Sequence, residues 1–152
     1  MAVDIFMKVA DIPGEATEKQ HEKWIKLTGV RNGVMQEVTD DIWKGKGNAG
    51  RPEFSTFTAF KQIDTSTPNL FVKCAKGEKI NNVEVHICES GSTDPLLKYT
   101  MDDCYITELN MDGQAKSQDK PLETVSFAFA KITYQYKAES PRSWSPQTYE
   151  AG

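Results

Sequence analysis

The chain has 152 residues and a mass of 17.1 kDa, the size of one domain with one sizeable core and little room for a second. Its 18 basic and 22 acidic side chains give a formal charge of -4 and a pI near 5.2, which leaves a weak electrostatic case for nucleic acid or an anionic membrane. The longest apolar stretch is Phe127–Ala130, far short of the roughly 20 residues of a spanning helix, so a soluble protein is expected.

The chain opens on an alternation. Val3, Ile5, Met7 and Val9 alternate with Ala2, Asp4, Lys8 and Ala10, the period of a half-buried strand. Asp4 and Lys8 within this run, with no small-residue cleavage site behind it, argue against a cleaved secretory signal. Further strand-like runs cover Trp24–Val38, Phe54–Ile63, Val83–Cys88, Leu96–Leu109 and Thr124–Tyr136. Pro13-Gly14, the Glu89–Ser92 turn closed by Pro95, and Met111–Gly113 supply the turn chemistry of hairpins. One segment reads as a helix over Pro68–Lys76, about 67–76 with its cap. Ser66 or Thr67 precedes it, Pro68 opens it, Gly77 ends it, and Leu70, Phe71, Cys74 and Ala75 form its apolar face. The expected fold is mainly β: an antiparallel two-sheet β-barrel or sandwich with one flanking α-helix.

The last strand changes parity. Val125, Phe127 and Phe129 share one face, whereas Ile132, Tyr134 and Tyr136 lie on the other. Two readings stay open: a bulge within one subunit, or a strand whose second half faces a neighbour. Trp24–Val38 and Phe54–Ile63 are apolar on both faces, more than one helix can cover, and self-association is the simplest cover.

Four groups of residues invite a chemical reading, and each has a plainer one. Gly45-Lys46-Gly47-Asn48-Ala49-Gly50 satisfies the dinucleotide pattern, but Arg51-Pro52-Glu53 and a β-rich run follow it where a helix N-terminus is needed, so it reads as an exposed loop. His86 and Cys88 share a strand face, and Cys74, Cys104 and His21 would have to complete a zinc shell without any ligand-type spacing. Cys74 and Cys104 suit small buried hydrophobes, and the three cysteines suit free thiols in a reducing compartment. The neighbours Asp40-Asp41 and Asp102-Asp103 point to opposite strand faces and do not make a carboxylate pair. The turn-rich tail Ala138–Gly152 fits a docking arm or a surface segment equally. No catalytic, cofactor-binding or metal-ligating residue is expected.

Four segments in order resemble the haemolysin-coregulated protein (Hcp) family of type VI secretion systems. They are Met1–Val9 with Ile12–Ala16 and His21–Ile25; Lys61-Gln62-Ile63-Asp64-Thr65-Ser66-Thr67-Pro68-Asn69-Leu70 running on to Cys74–Gly77; Lys98–Asp103; and Glu123–Ile132. The second follows the pattern K-x-x-D-x-x-[ST]-P-x-L. The likeness covers residues 1–137, giving a barrel domain there and a tail over 138–152. Arg31-Asn32 and Gln62 stand where many members carry aromatic residues.

The resemblance implies a tube protein and no enzyme. Such proteins form six-membered rings that stack into a hollow tube, and a contractile sheath drives tube, spike and cargo into another cell. Partners would be further copies of the chain, the sheath, spike and baseplate proteins, and effector cargo in the lumen. The protein would wait in the bacterial cytoplasm and be exported without a cleaved signal peptide. The stretch Glu37–Pro52 corresponds to the family's extended loop, which makes Glu37, Asp40, Asp41, Trp43, Lys44, Gly45, Gly47, Gly50 and Arg51 the expected assembly loop. Ile132, Tyr134 and Tyr136 form the expected subunit-interface face. The competing classes are a lipocalin-like monomeric carrier with an internal pocket, a hydrolase or metalloenzyme built on Cys88 and His86, and a phage-type tail-tube protein.

Overall fold

The computed structural model describes residues 2–38, 49–92, 94–116, 118–146 and 150–151. Its strands are β1 (Val3–Val9), β2 (Ile25–Leu27), β3 (Gly29–Arg31), β4 (Val34–Val38), β5 (Ala49–Phe54), β6 (Phe57–Gln62), β7 (Ile80–Glu89), β8 (Pro95–Asp112), β9 (Leu122–Tyr136), β10 (Arg142–Ser145) and β11 (Glu150–Ala151), with α1 (Thr67–Lys76) between β6 and β7. The mainly β architecture with one short helix agrees with the expectation from the turns and alternation.

Pairing is antiparallel throughout, and it nearly closes on itself. The order β9-β8-β7-β1-β2 continues through Ile25–Arg31 into β3, which pairs with β6, and β6 pairs back onto the first half of β9. Thr28 sits at the break between β2 and β3, and its N–H reaches the Phe60 carbonyl at 2.7 Å, so the wall continues across the break. Inward residues recur at every second position: Phe57, Ala59 and Lys61 on β6, Val83 and Val85 on β7, Val125 and Phe127 on β9. With Met7, Ile25 and Met101 these side chains pack the interior into one core.

The parity change has a local cause. On β8 the buried positions run Tyr99, Met101 and then Cys104, Ile106, and on β9 they run Val125, Phe127 and then Ile132. Both strands change phase between the pairs Asp102↔Lys131 and Cys104↔Phe129, where Asp103 takes the left-handed region at φ 52°. A left-handed residue inside a strand turns the pleat, so the positions beyond it present the other parity to the same interior. An extra residue on β8 between Ile106 and Glu108 bends the ribbon again.

The helix stops where Gly77 adopts the left-handed conformation (φ 64°), its N–H reaching the Cys74 carbonyl at 3.2 Å. Its start differs from the expectation. Ser66 is the N-cap residue, but its hydroxyl turns back to Asp64 Oδ1 and does not cap a helical N–H, and Thr67 precedes Pro68 in the first turn. The buried stripe is also narrower than the apolar pattern suggests. Leu70 is fully buried and Cys74 partly so, whereas Phe71 and Ala75 are exposed, because the helix packs mainly against β8 and turns the rest of its surface to solvent.

The tail joins the sheet. Arg142, Ser143 and Trp144 pair with Tyr134, Thr133 and Ile132, so β10 occupies the half of the β9 edge that β6 leaves open.

Candidate assembly surfaces

The ribbon β4–β5 is a two-stranded sheet of its own that leaves the barrel beside β9. Its base is clasped by Ser55, whose N–H and hydroxyl both donate to the Gly33 carbonyl at 3.1 Å. Asn32 Nδ2 donates to the Tyr134 hydroxyl at 2.7 Å, tying the base to β9. Phe54 meets Phe129 edge to face with centroids 6.0 Å apart. Beyond that base every β4 residue is exposed, with Val34 at 56 % and Met35 at 71 %. A lone two-stranded ribbon is marginal in water, so its length calls for cover from elsewhere.

An apolar groove of about 510 Å³ runs between the ribbon and the main sheet, lined by Val34, Pro52, Phe54, Ile132, Tyr134 and Trp144 among others. The indole N–H of Trp144 is buried there and meets no acceptor among the described residues.

Of the residues expected in the assembly loop, Glu37 lies on β4, and Gly50 and Arg51 on β5, all exposed. Asp40, Asp41, Trp43, Lys44, Gly45 and Gly47 lie outside the described residues, as does most of the glycine pattern. The face expected on Ile132, Tyr134 and Tyr136 divides. Ile132 belongs to this subunit's own core, because the parity change turns it inward, so a neighbour cannot bury it further. Tyr134 packs edge to face on Tyr99 at 4.8 Å, and burial pushes its hydroxyl above the usual tyrosine range despite the bond from Asn32. Tyr136 remains half exposed.

Two polar clusters stand in the structure, and of the residues weighed for chemistry His21 and His86 meet in the first. His86 bonds to His21, and burial followed by the fields of His21 and Lys98 lowers it to about 4. Burial raises the thiol of Cys88 and pushes Cys104 up to about 12, so both stay protonated and weakly nucleophilic at neutral pH. Among the described residues no three His, Cys, Asp or Glu side chains gather as a metal-binding group.

The second cluster explains the pattern K-x-x-D-x-x-[ST]-P-x-L. Lys61 is fully buried, with Nζ 2.5 Å from Glu123 Oε2 and 3.1 Å from Asp64 Oδ1. The Thr67 hydroxyl donates to the same Glu123 oxygen at 2.9 Å and accepts from the Asp64 N–H at 3.0 Å. Lys61 and Thr67 therefore converge on Glu123, the cross-strand neighbour of Lys61 on β9, with Asp64 bonded to both, and this fixes where the helix starts. A lysine at the parity of Phe57 and Ala59 was the signal in the sequence, since a buried ammonium requires an anion.

The sequence model of the family described as type VI secretion system effector, Hcp, matches residues 6–136. The chain belongs to the Hcp family. It is 28 % identical to protein hcp1 of Pseudomonas aeruginosa, over 98 % of this chain and 94 % of that one. A solved type six secretion system protein superposes with a TM-score of 0.93 at 25 % identity, covering 99 % of this chain and 100 % of that one. Hcp1 from Salmonella typhimurium superposes with a TM-score of 0.84 at 22 % identity over 99 % and 100 %, a likeness of fold. The Hcp family match reaches across the ribbon, the Lys61–Glu123 cluster and the parity change alike. Among the described residues no helix is long and apolar enough to cross a membrane.

Proposed function

We propose that this chain is a tube subunit of a bacterial type VI secretion system, closing into six-membered rings that stack into a hollow tube. The observation that carries this reading is the exposed β4–β5 ribbon standing beside an apolar groove, on a fold of the Hcp family. A ring closed by a heterologous contact covers such a ribbon with the next subunit and leaves no open end. The stretch Glu37–Pro52 makes that contact, with Tyr136 and the rim of Tyr134 at its border, and the Trp144 N–H takes an acceptor from the neighbour. Residues 1–137 form the working domain, and the segment 138–152 is an appendage whose β10 borders the groove. The subunit waits in the bacterial cytoplasm, is exported by sheath contraction without a cleaved signal, engages sheath, spike and baseplate proteins, and carries effector cargo in the lumen. Its work is mechanical and calls for no catalytic residue or cofactor.

Light scattering behind a sizing column tests the ring. Six times 17.1 kDa is about 103 kDa, and a mass near this value that persists on dilution is the expected result. A stable species near 17.1 kDa at all concentrations refutes it.

A further inference from the structure

The segment Pro13–Trp24, between β1 and β2, lies outside the barrel wall. It is folded on itself by backbone bonds: Gly14 N–H to the Lys23 carbonyl at 2.7 Å, Ala16 N–H to that of Trp24 at 2.9 Å, and Lys23 N–H to that of Ala16 at 2.8 Å. Phe6, Ala16 and Cys88, with Trp24 against them, make a small core separate from that of the barrel.

His21 joins this segment to the sheet. It is 1 % exposed and stacks on Phe6 with centroids 4.5 Å apart. Its Nδ1 faces the Glu18 carboxylate, and its Nε2 lies 2.9 Å from Nδ1 of His86 on β7. Trp24 packs against both imidazoles, at 4.7 Å and 4.6 Å.

Two imidazole nitrogens this close hold one proton between them, one ring donating and the other accepting. Either a neutral His21 accepts from His86, or a His21 cation held by Glu18 donates to a neutral His86. Protonating both rings makes both facing nitrogens donors, breaks the bond and sets two cations together under Phe6 and Trp24. Lys98, opposite His86 on β8, adds to that repulsion. Glu18 is the anion the segment brings to His21, while Glu15, Lys19, Glu22 and Lys23 face solvent. On the same sheet face β1 supplies Asp4 and Lys8, and β7 supplies Cys88 and Glu84 opposite them. Asp94 lies near enough to Cys88 to act on its thiol.

We propose that Glu18, His21 and His86 form an acid-sensitive latch that fastens Pro13–Trp24 to the β1–β7 face, and that acidification frees this segment while the barrel stays folded. The latched His86 sits at about 4, against about 6.5 for a free imidazole. The latched pKa is the lower one, so the open form binds more protons; the latch is intact above about pH 6.5 and weakens as pH falls towards 4. These values make opening about tenfold more favourable at pH 5.5 than at pH 7.5.

Amide hydrogen exchange on the full chain, corrected for the intrinsic effect of pH, tests this. The amides of Gly14, Ala16 and Lys23 are expected to lose about tenfold in protection between pH 7.5 and 5.5, while those of β8 and β9 keep theirs. His86→Gln, whose amide can still bond to His21, is expected to abolish the difference. The proposal is overturned if the segment keeps its protection at pH 5.5, if barrel amides are lost together with it, or if His86→Gln retains the pH effect. Should that variant fail to fold, imidazole NMR titration of the unaltered chain decides. A histidine midpoint that coincides with the midpoint of segment opening supports the latch, and a separation above about one pH unit overturns it.

Discussion

Replacing Glu123 by leucine leaves the Lys61 ammonium buried beside the barrel core. In the intact protein Nζ has Glu123 Oε2 at 2.5 Å and Asp64 Oδ1 at 3.1 Å, and neither the Lys61 nor the Glu123 side chain reaches solvent. Removing one partner of such a pair costs about 3–5 kcal/mol, because the remaining charge keeps its desolvation penalty. Asp64 still neutralises part of that charge, so the lower end, about 3 kcal/mol, is expected for Glu123→Leu. In a chain of this size that lowers the thermal midpoint by about 6–12 °C and the urea midpoint by about 1–2 M. The pair Lys61→Met with Glu123→Leu removes both charges, together with the buried Glu123 Oε1 that has no partner among the described residues, and is expected to return to within about 1 kcal/mol of the unaltered protein. Urea unfolding at fixed protein concentration, followed by circular dichroism, measures all three. A loss below about 1 kcal/mol for the single variant, or a double variant as unstable as the single, would falsify the ion-pair argument.

Three further outcomes follow from burial and close contact. Met35→Asp, on the exposed ribbon, is expected to change the monomer's stability by less than about 0.5 kcal/mol while reducing the assembled mass in light scattering, and shortening Gly45–Gly50 should act in the same direction. Leu70→Ala should cost about 2–5 kcal/mol in denaturant unfolding, since Leu70 is fully buried, whereas Phe71→Ser at the exposed neighbour should cost under about 1 kcal/mol. In Gly14→Ala a Cβ would stand 2.5 Å from the Trp24 carbonyl oxygen and 2.7 Å from Ile25 Cα, so the Pro13–Trp24 segment is expected to lose amide protection even at neutral pH.

Tyr134→Asp strikes the subunit itself, because Tyr134 holds the ribbon base through Asn32 and stacks on Tyr99. Tyr136, half exposed at the end of β9, separates assembly from folding far better.

Much of the fold was legible in the chain because its signals are local. Alternation in Val3–Val9, the Pro68 and Gly77 punctuation, and the turn at Glu89–Ser92 each depend on residues a few positions apart, and each stands where expected, whereas the run expected over Phe54–Ile63 is divided between the end of β5 and β6. The ordered family segments likewise lead to Hcp. The parity change at Ala130 and Lys131 was visible too, but its cause was not, because the residue that turns the pleat, Asp103, lies on the partner strand. The same holds for the polar clusters. Lys61 finds Glu123 across 62 positions, and His21 finds His86 across 65, so a lone buried-parity lysine or histidine can be read from sequence while its partner cannot. The sequence by itself determined the long strand runs, the helix and the family, but not that Trp24–Val38 divides into β2, β3 and β4 or that the tail supplies β10 and β11. Only the tertiary structure decided which charges meet, that Ile132 turns inward, and that a ribbon and an apolar groove stand open side by side, because these depend on pairing register and closure between segments far apart in the chain.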